Sequence, residues 1–167
     1  MSLLTEHVPL GSVPGLIDCE LIRSHVRLLV KDLKKWFAVK DPSLVISSIN
    51  PHSGESGLLG AEEKDVIIPA VEGLRKEGVK IDGPFSPAFA LRCALEGRYG
   101  VVVSPYHDQL LPAFKVLLGP SVNVTLGLGF PRTSPDHGPA VDTAGKKEAD
   151  HSSMKAAIGL ALELALG

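Results

Sequence analysis

Six histidines are spread along the chain, at positions 7, 25, 52, 107, 137 and 151. Three of them share a context. His52 follows the apolar block SLVISSI in SSINPHSGE, His107 follows GVVVS in SPYHDQ, and His7 follows a short apolar start in LLTEHVPL. Each falls just past the C-terminal end of a strand or candidate strand. In open α/β sheets that edge is where ligands bind. Neutral imidazole is a good ligand for Zn²⁺ and similar divalent ions, so three of them converging there would suit a metal. Their separations of 45 and 55 residues match no local metal motif. Spacing alone therefore leaves three unrelated loop histidines as the plainer account. His25 sits inside a helical pattern and His151 at a helix start, and periodicity gives both a structural reading.

Other groups could act on an anion. Glycines 54, 57 and 60 follow His52, with a helix after them. Such a loop can approach a phosphate closely at a helix N-terminus, although glycine triplets are common and a plain turn accounts for them too. Lys115, Asn123 and Arg132 are cationic or amide groups beside apolar blocks that could grip a phosphate or carboxylate; singly, each also reads as a solvated surface group. The stretch TSPDHGPAVDTAGKKEAD (133–150) is polar and rich in turn residues, and its bland reading is a turn followed by a helix start.

The elements that must position these groups alternate in type. Residues 19–37 place Ile22, Val26, Leu29, Leu33 and Trp36 on one helical face, with Asp18 as N-cap. Residues 43–49 read as a strand. Residues 62–77 read as a helix with acidic first turns and Gly78 after its end, and Pro69 predicts a kink or a later start. A short helix is expected at 88–96, buried strands at 100–104 and 122–126, and an Ala-rich helix at 151–166. Strands alternating with helices predict a layered α/β domain with a largely parallel sheet. With no repeat, charge run or linker, one domain over 1–167 is the economical count.

Composition narrows the function classes. Seventeen Lys and Arg against nineteen Asp and Glu leave no basic field for a polyanion, which argues against nucleic-acid binding. Cys19 and Cys93 are too few for a disulfide framework, so a reduced, cytoplasmic setting is expected. The apolar runs fall far short of a membrane span. The start lacks the basic region of a signal peptide, and Glu6 and His7 interrupt any apolar core there.

Taken together, HVPL (7–10), NPHSGE (50–55), EEKDVIIPAVEGLR (62–75), YHDQLLPAFK (106–115), VNVTLGLGFPRTSPDHG (122–138) and AGKKEAD (144–150) resemble the C-terminal half of the 4-hydroxythreonine-4-phosphate dehydrogenase family, in the family's order and near its spacing. The resemblance runs from about Glu6 to the C-terminus. It implies the isocitrate/isopropylmalate dehydrogenase-like fold, with the family's N-terminal half supplying the other wall of the cleft.

The resemblance also implies a chemistry. The reaction would be NAD-dependent oxidation, with decarboxylation, of 4-phosphohydroxy-L-threonine in vitamin B6 synthesis. His7, His52 and His107 match the family's metal histidines, contributed from both subunits of a homodimer. Zn²⁺ suits this donor set best, and Mg²⁺ or Co²⁺ remain open. Lys115, Asn123 and Arg132 match residues that hold the phosphorylated substrate, and Lys115 with Asp108 would carry the catalytic proton chemistry. His137, Gly138 and Asp142 match the loop that cradles the adenosine part of NAD. Two departures accompany the match. A family Asp shortly after the Gly-Pro at Gly83-Pro84 is met here by Phe89 or Ala90, and the loop between Lys115 and Asn123 is slightly shorter.

Overall fold

The computed structural model describes residues 1–119, 121–138, 141, 145–146 and 150–166. In chain order the elements are β1 (Ser2–Leu3), the single turn α1 (Val13–Leu16), α2 (Cys19–Trp36), β2 (Ser43–Ser47), α3 (Ile68–Lys76), β3 (Lys80–Phe85), α4 (Pro87–Leu95), β4 (Val101–Ser104), α5 (His107–Leu118), β5 (Val122–Thr125), β6 (Arg132–Pro135) and α6 (Ser152–Leu166). β1, β4, β2 and β3 form a parallel sheet in that order, and β5 and β6 form a separate antiparallel ribbon. The parallel α/β arrangement is the one the alternating pattern predicts, but 122–126, expected as a buried strand, is the half-exposed β5 of the ribbon, which pairs with β6 alone.

β2 lies at the centre of the sheet, between β4 and β3, and its alternation explains the layering. Leu44 and Ile46 point to one face, where Ile22, Val26 and Leu29 of α2 and Ala70, Val71 and Leu74 of α3 bury them. Val45 points to the other face and packs with Val102, Ala90 of α4 and Leu110 of α5. Helices on both faces leave no solvated side, which is why the buried middles of β2 and β4 are apolar. Burying Ile22, Val26 and Leu29 contributes roughly 1.5–3 kcal/mol apiece to holding α2 on the sheet.

Local chemistry sets the ends. Asp18 caps α2 by accepting from the Leu21 N–H at 2.7 Å. α-Helical geometry starts only at Ile68, with Pro69 in the first turn and a π-helical turn, Glu63–Ile67, ahead of it. The later start that Pro69 predicts is the outcome. Four elements lie outside the sequence expectations: α1, β3, β6 and α5. His107 therefore opens a helix rather than sitting in a loop. On α6, Met154, Ile158, Leu162 and Leu166 are exposed at intervals of four, an apolar stripe open to solvent. Among the described residues no helix is long and apolar enough to cross a membrane.

Candidate functional site

All four sheet strands run the same way, so their C-terminal ends share one edge. β1 pairs with β4, Leu3 opposite Ser104, and the pairing continues past both strands. Leu4 N donates to Ser104 O at 2.9 Å and Thr5 N to Pro105 O at 3.2 Å. The buried Thr5 hydroxyl adds a bond to Pro105 O at 2.8 Å. This zipper delivers His7 beside His107, with ring centroids 5.4 Å apart and planes tilted by 40°. Two imidazoles bound to one tetrahedral Zn²⁺ through bonds near 2.0 Å have centroids about 5 Å apart. The pair therefore fits a shared divalent ion.

His107 Nδ1 lies 3.2 Å from Asp108 Oδ1. A carboxylate only accepts, so this contact favours the ring tautomer with Nδ1–H, the one that presents Nε2 as the ligating nitrogen. Asp108, expected as a catalytic group, makes this contact with the adjacent His107. It is also an acid in the first turn of α5, where the helix dipole favours it. Below, Gln109 ties the edge together. Its Nε2 donates to Ser48 O at 2.6 Å, and its Oε1 accepts from Ser47 Oγ at 2.8 Å and lies 3.0 Å from Ser104 Oγ.

His52 is carried differently. After β2 the chain enters a turn in which His52, Ser53, Gly54, Glu55 and Ser56 all have positive φ, between 42° and 76°. Left-handed backbone costs roughly 1–2 kcal/mol for each residue bearing a Cβ, so a run of them must be held from outside. The holder is Glu63, only 2% exposed. Its Oε1 accepts from Ile49 N at 2.8 Å and Asn50 N at 2.7 Å, and its Oε2 from Asn50 Nδ2 at 2.9 Å. Asn50 also donates to Glu62 at 2.6 Å. The Glu62 backbone N–H first, and that Asn50 amide second, hold the Glu62 carboxyl below its ordinary pKa. A Cβ on Gly54 would come within 2.7 Å of Glu63 Oε2. The close approach this glycine permits is to the carboxylate, not to an incoming anion. His52 itself is exposed, and among the described residues no group of three His, Cys, Asp or Glu is placed to hold a metal. The structure brings His7 and His107 together and leaves His52 apart from them.

The anion-binding candidates lie on α5 and the ribbon. In the β5–β6 register Asn123 opposes Ser134 and Thr125 opposes Arg132. Asn123 and Arg132 are thus diagonal neighbours on one face, and both are exposed. Lys115 reaches the DHG segment, pairing with Asp136 Oδ1 at 3.0 Å. Ser121 Oγ also donates to Asp136, whose N–H bonds Ser153 Oγ at 3.1 Å. Lys115, Asp136, His137 and Asp150 line one open cleft of about 240 Å³ at the start of α6. The lysine and the DHG segment thus meet. His137 and Gly138 are exposed there, and Asp142 lies outside the described residues. Asp150 is held below its ordinary pKa first by the Ser152 N–H and then by the Ser152 hydroxyl.

Sequence reasoning missed Glu63, Gln109 and Asp32. Asp32 is buried on α2 and accepts from Gly127 N at 2.8 Å, fixing the loop that leads to Arg132. The available signal was an acid between Leu29 and Leu33, on the face that should be apolar. At the departure after Gly83-Pro84, Phe89 stacks edge-on against Phe85 at 5.1 Å beneath the Arg98 guanidinium, while Ala90 is core.

A parallel α/β sheet with paired imidazoles at its C-terminal edge and a cationic ribbon beside it belongs to the class of α/β ligand-binding folds. The comparisons narrow that class. The profile described as "Pyridoxal phosphate biosynthetic protein PdxA" matches residues 1–161, and the chain belongs to that family. It is 46% identical to 4-hydroxythreonine-4-phosphate dehydrogenase of Neisseria meningitidis serogroup A over 100% of this chain and 51% of the relative. Among solved structures, 4-hydroxythreonine-4-phosphate dehydrogenase from Klebsiella pneumoniae matches with TM-score 0.87 and 34% identity, over 99% of this chain and 50% of that one. A terephthalate 1,2-cis-dihydrodioldehydrogenase from Burkholderia xenovorans LB400 matches with TM-score 0.76 and 29% identity, over 96% and 51% respectively. The chain spans about half the length of the curated relatives it matches.

Proposed function

We propose that this chain is a single α/β domain over 1–167 corresponding to the C-terminal half of an NAD- and divalent-metal-dependent dehydrogenase. The substrate of this reading is 4-phosphohydroxy-L-threonine, oxidised and decarboxylated on the route to pyridoxine 5'-phosphate in the cytoplasm. The observation that carries it is the His7–His107 pair, 5.4 Å between centroids, on a chain whose relatives bear that enzyme's name.

When bound, the metal would polarise the substrate hydroxyl and NAD would accept the hydride. The chain's own residues do the rest. His7 and His107 supply two imidazole nitrogens, and Asp108 keeps the His107 tautomer that leaves Nε2 free. His52 of a second copy supplies the third in a homodimer. The exposed stripe Met154, Ile158 and Leu162 supports a protein partner of some kind. Asn123 and Arg132, on one face of the ribbon, grip the phosphate. Lys115 exchanges its Asp136 partner for an anionic substrate oxygen or a proton in transit. His137, Gly138 and Asp142 hold the adenosine end of NAD. Zn²⁺ suits the imidazole donors best, with Mg²⁺ or Co²⁺ as alternatives.

NADH formation from 4-phosphohydroxythreonine with Zn²⁺ or Mg²⁺ tests the reading. Folded, metal-loaded protein with no turnover sinks it for this chain and favours a non-catalytic metal-binding and dimerising domain. That alternative draws support from the half-length match. A relative acting on a different phosphorylated four-carbon hydroxy acid is favoured by Phe89 or Ala90 standing where the family carries an acid. Metal content of H52A separates the readings further: a value equal to wild type removes His52 from the site.

A further inference from the structure

We propose that Glu63 is a positioning residue: it sets where His52 stands by clamping the left-handed turn on both sides of that histidine. The inference rests on the reading of His52 as a metal ligand. Among the described residues the His52 imidazole has no hydrogen-bond partner, so only its backbone fixes its place. That backbone is unusual, with six successive residues, His52 to Gly57, at positive φ. Glu63 touches it before and after the histidine. On the near side it takes both N–H groups of Ile49 and Asn50 and the Asn50 side-chain amide. On the far side its Oε2 lies 2.7 Å from where a Cβ on Gly54 would be, a close approach that the glycine permits.

The carboxylate comes from a π-helical turn, a geometry that single sites often adopt where function needs a side chain re-aimed. A group required only for core stability would be apolar at this depth. A carboxylate at 2% exposure with three donors from one short segment serves that segment's path instead. Substitutions of such outer partners ordinarily weaken metal affinity about 10- to 100-fold.

The test uses the full chain and Co²⁺ alone, read by its visible absorption, with amide exchange at Ile49 and Asn50 as a metal-free readout. E63A is expected to weaken Co²⁺ binding about 10- to 100-fold and to speed exchange of both amides. E63Q keeps the shape and one acceptor oxygen, and is expected to recover most of both. G54A, which pushes a methyl against the same oxygen, gives the comparison if E63A does not fold. H52A controls for the underlying reading. Weak Co²⁺ binding by H52A with wild-type binding by E63A overturns the positioning role. Wild-type Co²⁺ binding by H52A removes the ligand reading instead, and the clamp is then judged on exchange: unaccelerated Ile49 and Asn50 amides in E63A overturn it.

Discussion

The edge of the parallel sheet and the β5–β6 ribbon both carry residues suited to chemistry, but they are held by different means. At the sheet edge, the side chains ride on strands packed between helices and tied by the buried Thr5 and Glu63 and the half-buried Gln109. The ribbon has only two strands, its Asn123 and Arg132 are exposed, and it is pinned at single points. Asp32 holds Gly127, and Thr133 Oγ1 donates to Ala157 O of α6 at 2.8 Å. A two-stranded ribbon is marginal alone, so its order is borrowed from α2 and α6. The contrast teaches that imidazole geometry here is a property of the sheet, while the placing of Asn123 and Arg132 depends on α6 and a few side-chain bonds.

That contrast can be broken most forcefully at the centre of the sheet. Ile46→Ala is expected to cost about 2–5 kcal/mol in urea unfolding, since the fully buried side chain leaves a cavity between α2 and β2. A loss below 1 kcal/mol would show that the sheet is not the rigid partner. Next comes Gln109→Leu, which strands the Ser48 carbonyl and the Ser47 hydroxyl, while Ser104 Oγ keeps its bond to Tyr106 O. It should cost about 2–3 kcal/mol and disturb His107 without moving the ribbon, as seen in amide and imidazole NMR shifts. Asp32→Ala is the reverse experiment. A destabilisation of about 1–2 kcal/mol, with exchange accelerated at Gly127 and in the ribbon but not in β2 or β4, would sharpen the comparison. Uniform acceleration would erase it.

The smallest effect concerns pH. His25, on α2, is bonded to Ser2 Oγ at 2.7 Å, and burial lowers its pKa, with Glu6 opposing. A histidine whose folded pKa lies below its unfolded value of about 6.5 binds more protons when unfolded. Its contribution is complete above that value and is lost as the pH falls through it. Stability should decline below about pH 6.5 more steeply in wild type than in His25→Gln. Parallel curves would remove His25 as the cause.

What was legible in the sequence follows the same division. α2 declared itself because Ile22, Val26 and Leu29 recur at helical spacing and bury as a face. β2 and β4 were legible because strands covered on both faces must be apolar. β3 was hidden, since KIDGPF has a Gly-Pro and an acid, and only its pairing with β2 makes it a strand. α5 was hidden by Pro112 and by Val116, Leu117 and Leu118, an exposed apolar run with no clean periodicity. β6 is four residues, RTSP, defined by its partner alone. At the site, the places of His7, His52 and His107 after strands were readable, whereas Glu63, Gln109 and Asp32 act on residues 13 to 95 positions away. No local pattern encodes such bonds.

The zipper between β1 and β4 has a mechanical corollary. β1 is two residues long, lies at the margin of the sheet, and pairs with β4 alone. The first residues of the chain are thus a passenger on β4. Any tilt or slide of that strand carries both imidazoles at its end as one rigid caliper, its jaws already set. His52 stands outside that caliper, mounted on its own spring of left-handed backbone.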